Sequence, residues 1–142
     1  MRAQVVHARE IAATAPAVFA EISALGTAGD RIWPAPRMPF KRTPGELVVH
    51  VTRERHGIIH AELDAVEPGR RVVWRARQAF LEGTHGFTVT PLPGGGTRVE
   101  HSLDARITWW FAPVWRLRIA AIHDRLVGAL LDRLARVCES PK

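Results

Sequence analysis

Residues 70–108 read RRVVWRARQAFLEGTHGFTVTPLPGGGTRVEHSLDARIT. Apolar and polar side chains alternate along three stretches of this segment, at 71–78, 83–91 and 97–107. This is the period of a β-strand that buries one face and exposes the other to water. The proline and glycines of 93–96 predict a hairpin loop between the second and third strands. The segment therefore predicts consecutive antiparallel strands, and it decides the fold.

An apolar stripe predicts that the chain ends in a long amphipathic helix beginning at Pro113. The apolar side chains recur every three or four residues, and they are Trp115, Ile119, Ile122, Leu126, Leu130, Leu134 and Val137. A helix of about 25 residues spans roughly 38 Å. Its stripe must be buried, and the sheet is the only large partner available. We therefore expect a curved sheet around this helix, with a pocket between them.

The first half of the chain predicts further elements of the same sheet. Residues 5–11 alternate like a first strand, and Thr14 is a suitable N-cap for a short helix behind it. The glycines and prolines of 26–44 predict an irregular segment with room for another helical turn. Two more strands are predicted at 47–53 and 58–66. In total we expect an α+β protein with about six or seven antiparallel strands, and short helices after the first strand.

Length and composition are those of one ordinary folded domain. The 142 residues are 46% hydrophobic and 24% charged, so we expect a single domain over 1–142. The formal net charge is +6, but the basic residues are dispersed and no run reaches five like charges. Alternation places four arginines on the outer sheet face, at Arg53, Arg55, Arg75 and Arg77. Nucleic-acid binding is therefore not favoured.

The sequence argues against a disulfide, a metal site, a signal peptide and a transmembrane helix. Cys138 is the only cysteine, so no internal disulfide forms. The histidines show no HExxH pattern and no Cys/His ligand spacing, so we expect no metal site and no cofactor. A three-histidine site assembled across strands is the less favoured alternative. The N-terminus lacks the apolar core of a signal peptide, and no stretch is long enough for a transmembrane helix. We expect a cytoplasmic protein.

The element order and several local strings resemble the START-like or Bet v 1-like superfamily, in particular bacterial polyketide cyclase/dehydrase-type (SRPBCC) domains. The strings that carry the resemblance are 10–11 with 15–19, 30–34, 66–75, and 83–89 with 95–99 and His101. The resemblance implies a helix-grip fold with an apolar cavity for lipids, polyketides, sterols, quinones or similar ligands. Some relatives catalyse cyclisation or dehydration, whereas many bind or carry a ligand. The family has no invariant catalytic set to transfer onto these positions.

Two histidines on the apolar phase of neighbouring strands are the candidate catalytic residues. If Val89 pairs with Val99, then Phe87 lies opposite His101 and His85 lies on the diagonal within about 8 Å. Two imidazoles in an apolar cavity suit a general acid/base pair, because burial lowers the pKa of histidine. The alternatives are hydrogen-bonded core histidines, or histidines that orient a ligand carbonyl.

Aromatic side chains complete the predicted ligand site. Trp74 and Phe87 face inward, where planar ligands stack well. Trp33 and Trp109 are expected near the entrance, and the exposed run 109–111 suits a ligand gate, a dimer contact or a membrane contact. The helix is expected to cover the cavity with three apolar side chains, those of Ile119, Ile122 and Leu126.

Three functions remain open at this point. The first is binding of a small hydrophobic ligand, of lipid, polyketide or aromatic type, in the cavity. The second is a cyclase/dehydrase-like enzyme that uses the pocket histidines as general acid and base. The third is an accessory protein whose basic face contacts a partner or an anionic surface. With any of the three functions, a homodimer is left open.

Overall fold

One antiparallel sheet dominates the computed structural model, which describes residues 1–140. In this part of the chain the sheet has seven strands: β1 (Arg2–Ile11), β2 (Lys41–Arg42), β3 (Arg53–His56), β4 (Ile59–Glu67), β5 (Arg71–Gln78), β6 (Leu81–Pro91) and β7 (Thr97–Ile107). Their order in the sheet is β1-β7-β6-β5-β4-β3-β2. Each strand from β2 to β7 therefore pairs with its sequence neighbour, and β1 closes the far edge against β7.

Helical segments cover the concave face of this sheet. A short helix α1 (Ala15–Ser23) follows β1, and the chain ends in α2 (Ala112–Val114), a π-helical turn (Trp115–Ile119) and α3 (Ala120–Glu139). Helix α3 packs against both β1 and α1. The fully buried core joins the sheet to the helices through Ile11, Val18, Leu63, Val99 and Leu134. The predicted α+β helix-grip architecture is confirmed.

Two glycines in β6 allow neighbouring strands to approach unusually closely. A Cβ atom at Gly83 would lie 2.2 Å from the carbonyl oxygen of Asp104, and one at Gly86 would lie 2.2 Å from that of Val72. Real Cβ contacts are never this short, so neither position accepts a side chain without backbone movement. The two strands paired with β6, namely β5 and β7, can therefore lie very close to it where the sheet curves around the pocket.

The strand predicted at 47–53 is wrong. Residues 49–51 form a turn, and β3 begins only at Arg53. His50 takes a left-handed conformation with φ 66°, and its amide donates to the carbonyl of Leu63. The hydroxyl of Thr52 accepts the amide proton of Val48 and closes the turn. Local side-chain hydrogen bonds thus replace the extended ladder that the apolar run suggests.

The prediction of a helical region after the first strand is confirmed, with one short helix. Within the described residues, α1 is the only regular helix between β1 and β2. Thr14 caps it as predicted, accepting the amide proton of Ala17. The carboxylate of Asp30 then accepts the amide protons of Ile32 and Trp33, which holds the following segment in a non-helical turn.

The terminal helix carries an irregularity that the apolar stripe does not predict. The amide of Ala120 donates to the carbonyl of Trp115, an i→i+5 bond typical of a π-turn. The extra residue rotates the part of the helix that follows the π-turn, so that His123 and Val127 turn inward. Ile122, which the stripe places in the buried row, is 44% exposed.

Candidate functional site

A cavity of about 270 Å³ lies between the concave face of the sheet and the terminal helix. Its wall is mostly apolar and includes aromatic side chains from the α1–β2 segment, the sheet and the helix, among them Trp33, Phe40, Trp74, Phe87 and Trp115. The polar side chains on the wall are chiefly histidines. The cavity is therefore an apolar container with a small number of titratable groups.

The structure brings together most of the residues predicted to bind a ligand. Eight of the nine line the cavity: Trp33, Trp74, His85, Phe87, His101, Ile119, Ile122 and Leu126. The exception is Trp109, which does not line the cavity and is 84% exposed. It precedes the π-turn, and Phe111 lines the wall instead, packed against Phe80. That the eight residues contact a ligand stays a prediction.

The register of the β6–β7 hairpin is the predicted one. Val89 pairs with Val99, and Phe87 pairs with His101. The ring centroids of Phe87 and His101 are 4.9 Å apart, and those of His85 and His101 are 6.0 Å apart. The hairpin thus places both candidate imidazoles on the cavity wall beside an aromatic ring.

A buried carboxylate, that of Glu54, pairs with two of the histidines that line the cavity. The side chain of Glu54 is 0% exposed, and it accepts hydrogen bonds from His56 Nδ1 at 2.7 Å and from His85 Nε2 at 2.9 Å. β3 and β6 lie three strands apart in the sheet. Glu54 and His85 meet because the intervening paired positions carry the small side chains of Ala61 and Ala76.

The two imidazoles keep this carboxylate ionised. Burial alone would raise the pKa of Glu54, but the hydrogen bonds from His56 and His85 and their positive potential outweigh it and lower the pKa to about 2. A carboxylate in this state holds its imidazole partners in fixed orientations. The arrangement suits an acid/base group that is oriented by a buried anion.

Five imidazoles form a row, and all of them except His7 at one end line the cavity. Neighbouring ring centroids are 5.5 to 6.0 Å apart in the order His56, His85, His101, His123 and His7. Burial, followed by the repulsion of the nearest imidazoles, lowers the pKa of His101 well below its usual value. The same causes lower the pKa of His123 to about 4, against an opposing effect of Asp124. These two rings are therefore neutral near pH 7.

Sequence reasoning missed three residues of this site, namely Glu54, His56 and His123. Glu54 and His56 were missed because the predicted strand ended at residue 53. In the structure a turn occupies 49–51, and the strand that directs both side chains inward begins only at Arg53. His123 lies four residues after Ile119, but Ile122 lies three residues after it and continues the same row equally well, so helical spacing alone does not single out the histidine.

Two groups of residues are arranged as metal ligands are, although the sequence predicts no metal site. Among residues 1–140, Glu54, His56 and His85 form one group and His7, His123 and Asp124 form another, each with three potential ligand atoms within 4.8 Å of one another. Motif spacing does not reveal these groups because their members come from separate strands and helices.

Lowering the pH is expected to destabilise the fold through His123. Its pKa is lower when folded than the usual 6.5, so the unfolded chain binds the proton first. The neutral ring contributes fully above about pH 6.5, and the contribution disappears as the pH falls towards 4, a loss of about 3 kcal/mol. His101 acts in the same direction.

Urea unfolding at pH 7 and pH 4.5, in buffer containing EDTA, measures this effect. The variant His123→Gln should lose a large part of the pH dependence, whereas the exposed-site variant His60→Gln should keep it. An unchanged dependence in His123→Gln would show that this imidazole does not titrate as described.

The outer face of the sheet carries the predicted arginines. Arg53, Arg55 and Arg77 are exposed, and the guanidinium of Arg75 pairs with Asp64 at 3.3 Å. Their alternation with inward residues is therefore as predicted. Whether this face contacts a partner or an anionic surface stays a prediction, as do the homodimer and the cytoplasmic location. No helix in the described chain combines the length and apolar character needed to cross a membrane.

Comparison with known proteins gives one family match. A family model described as polyketide cyclase / dehydrase and lipid transport matches residues 2–139, nearly the whole chain. No curated protein matches the sequence significantly.

Solved structures share the fold at low sequence identity. A truncated norcoclaurine synthase from Thalictrum flavum is 12% identical with a TM-score of 0.70, covering 100% of this chain and 96% of that one. The Zhui aromatase/cyclase from Streptomyces sp. R1128 is 17% identical with a TM-score of 0.73, covering 98% and 94%. Protein Ms6760 from Mycobacterium smegmatis is 12% identical with a TM-score of 0.69, covering 98% and 92%. At these identities the likeness shows a common fold.

Proposed function

The chain belongs to the polyketide cyclase/dehydrase and lipid transport family, and we propose that it binds a compact ligand that carries an aromatic or alicyclic ring and two carbonyl groups, and catalyses proton transfer on it. The reaction class is cyclisation or dehydration, with His85 as general acid and base. His56 and Glu54 position His85, and the aromatic wall of the cavity positions the ligand. The single domain over 1–142 carries the whole activity.

The cavity wall favours a compact aromatic or alicyclic ligand. The volume of about 270 Å³ lies at the lower end of the range of small-molecule sites, roughly 300–1,000 Å³. Rings such as those of Trp74 and Phe87 offer flat apolar surfaces on which a planar ligand stacks. A long flexible lipid would not fit in this volume.

The buried carboxylate is the observation that carries the catalytic part of the proposal. Burying an ionised carboxylate costs several kcal/mol unless it is paired. A site that only enclosed an apolar ligand would gain nothing from Glu54. The cost is understandable if Glu54 orients His85: the Nε2–H donates to the carboxylate, and Nδ1 is left to exchange a proton with the ligand.

The proposed steps need no cofactor. His85 Nδ1 takes a proton from the carbon next to a ligand carbonyl, and the resulting enolate carbon attacks a second carbonyl in the same molecule. The protonated His85 then returns its proton to the new alkoxide. Dehydration then requires a second proton transfer: His85 removes a remaining proton from the attacking carbon and passes it to the departing hydroxyl, which leaves as water as the carbon–carbon double bond forms. The cavity contributes by holding the reacting carbons together.

The comparisons support this class of chemistry in general terms. The family description includes cyclases and dehydrases, and one structural neighbour is named an aromatase/cyclase. Both are consistent with an enzyme that folds a carbonyl-bearing chain into rings.

Ligand carriage without reaction is the second candidate. The family description also includes lipid transport, and apolar side chains make up most of the wall. A carrier would bind the same ligands as the enzyme but would not accelerate proton transfer on them.

Hydrogen exchange on a model ketone distinguishes the two functions. The probe is 2-tetralone, a planar two-ring ketone with acidic protons beside its carbonyl, and proton NMR in D₂O follows the loss of these protons. We expect the protein to accelerate the exchange above the buffer rate. Binding of the probe without acceleration would support the carrier, and neither binding nor acceleration would contradict the proposed function.

A pocket-filling variant shows whether the exchange takes place in the cavity. Ala76 lies buried on the cavity wall, so Ala76→Trp should fill the space and abolish both binding and exchange. The matched variant Ala129→Trp places the same ring on the exposed face of α3 and should behave like the wild type. Equal exchange in Ala76→Trp would place the reaction elsewhere.

A further inference from the structure

A second group of polar side chains lies at the far end of the imidazole row, away from Glu54. It joins His7 of β1 to His123 and Asp124 of α3. The Nε2 atom of His7 is 3.3 Å from Oδ1 of Asp124, and the Nδ1 atom of His123 is 3.8 Å from the same oxygen. Two nitrogens from different elements therefore converge on one carboxylate oxygen.

Hydrogen bonding does not account for this arrangement. The 3.8 Å separation between His123 Nδ1 and Asp124 is too long for a hydrogen bond. In the described part of the chain, His123 Nδ1 and His7 Nδ1 are buried side-chain nitrogens without a hydrogen-bond partner. A buried polar atom that lacks a partner costs about 1–3 kcal/mol. The His123 nitrogen, which faces Asp124, therefore needs an explanation, and a metal ion bound to it would supply one.

We propose that His7, His123 and Asp124 bind a divalent transition-metal ion, with Zn²⁺ as the best fit. Ligands at about 2.0–2.2 Å from a tetrahedral zinc lie roughly 3.3 Å from one another. The two measured separations, 3.3 and 3.8 Å, need only small side-chain adjustments to reach this geometry. Two imidazoles and one carboxylate are also a donor set that zinc accepts, with the fourth position left to water or a ligand.

The group around Glu54 is a weaker candidate for the same ion. There each imidazole nitrogen has its own carboxylate oxygen, at 2.7 Å for His56 and 2.9 Å for His85. These are ordinary charge-assisted hydrogen bonds, and they already satisfy the carboxylate. The metal therefore belongs to the His7 group, and the inference does not depend on the catalytic role of His85.

Such an ion would connect the two ends of the chain. His7 lies in the first strand, whereas His123 and Asp124 lie in the last helix, and β1 and α3 already pack together. The unfolded chain does not hold these ligands in place, so metal binding would stabilise the fold. His123 also lines the cavity, which places the ion beside the ligand site.

Cobalt titration tests the site directly. Protein without a polyhistidine tag is stripped with EDTA, dialysed and titrated with Co²⁺, with visible absorption reporting coordination and equilibrium dialysis reporting stoichiometry. We expect about one Co²⁺ per chain, displaced by Zn²⁺. Asp124→Asn should weaken binding by about 100-fold, and because this side chain is largely exposed the variant should fold. His7→Gln should weaken binding to a similar degree.

Matched variants identify the site of binding. Asp132→Asn makes the same chemical change on the same helix, at an exposed carboxylate that pairs with Arg9, and it should bind Co²⁺ like the wild type. Failure of the wild type to bind Co²⁺ in the micromolar range would overturn the proposal. So would unchanged binding in Asp124→Asn, or loss of binding in Glu54→Gln instead.

Discussion

Replacing His85 with Gln is expected to slow hydrogen exchange on 2-tetralone by about 10²- to 10⁴-fold, the range of general acid/base catalysis. Glutamine keeps a polar side chain of similar length but cannot accept and return a proton. The rest of the cavity wall is unchanged, so the dissociation constant of the probe should stay within about threefold of the wild-type value. A loss of rate without a loss of binding is typical of a group that acts in the transition state.

Replacing Glu54 with Gln tests the positioning part of the same site. The amide retains one acceptor oxygen, but the substitution removes the negative charge to which the His85 Nε2–H donates. We expect a smaller loss of rate than in His85→Gln, and a shift in the pH profile of exchange that a purely structural residue would not cause. His50→Gln, at an exposed histidine in a turn, is the control and should leave rate and profile unchanged.

Two results would contradict this assignment. Wild-type exchange rates in both His85→Gln and Glu54→Gln would leave the buried carboxylate without a catalytic role. Loss of probe binding in His85→Gln, with an unchanged rate for the bound probe, would make His85 a binding residue only.

Replacing Gly86 with Ala is expected to destabilise the fold by about 3 kcal/mol or more. The added Cβ would lie 2.2 Å from the carbonyl oxygen of Val72 and 2.9 Å from the Cα of Val73. Both contacts are with backbone, so a side-chain rotation does not relieve them. The β5–β6 pairing must open, and this pairing forms the wall that carries Trp74 and His85.

The same substitution at Gly128 is the matched control. Gly128 lies in α3, and a Cβ there would meet nothing within 4 Å. Alanine has the higher helix propensity, so Gly128→Ala should raise the free energy of unfolding by about 0.5–1 kcal/mol. Urea unfolding of the two variants measures both effects. Equal stability of Gly86→Ala and the wild type would show that β5 and β6 are not so close.

The sheet and the hairpin could be predicted because their signals are local. Alternation along 71–78 and 97–107 predicts the strands and also which of their side chains face inward. The glycines within 93–96 predict the loop between the last two strands. Once Val89 is paired with Val99, the position of His101 beside Phe87 follows from geometry alone. The structure has this register.

The polar centre of the site could not be predicted because its contacts are long-range. Glu54 and His85 are 31 residues apart and three strands apart, and they meet only because the sheet curves over Ala61 and Ala76. The turn at 49–51 depends on the bond from the His50 amide to Leu63, another contact between distant residues. The mostly apolar run 47–51 indicates neither the contact between Glu54 and His85 nor the turn.

The inward position of His123 was missed for a different reason. A regular helix of 3.6 residues per turn continues the row from Trp115 and Ile119 to Ile122 and Leu126 as readily as to His123. The π-turn before Ala120 shifts the register by one residue and brings the imidazole inward. A single inserted residue of this kind leaves no clear mark on a hydrophobic pattern.

A crystal structure of the protein with 2-naphthol would test the central claim most directly. This planar molecule resembles the enol form of 2-tetralone, which would form when His85 removes the proton. We expect its rings to stack in the cavity against Trp74 or Phe87, with its oxygen or the adjacent carbon within about 4 Å of the His85 imidazole. Binding outside the cavity, or an oxygen directed away from the imidazoles, would contradict it.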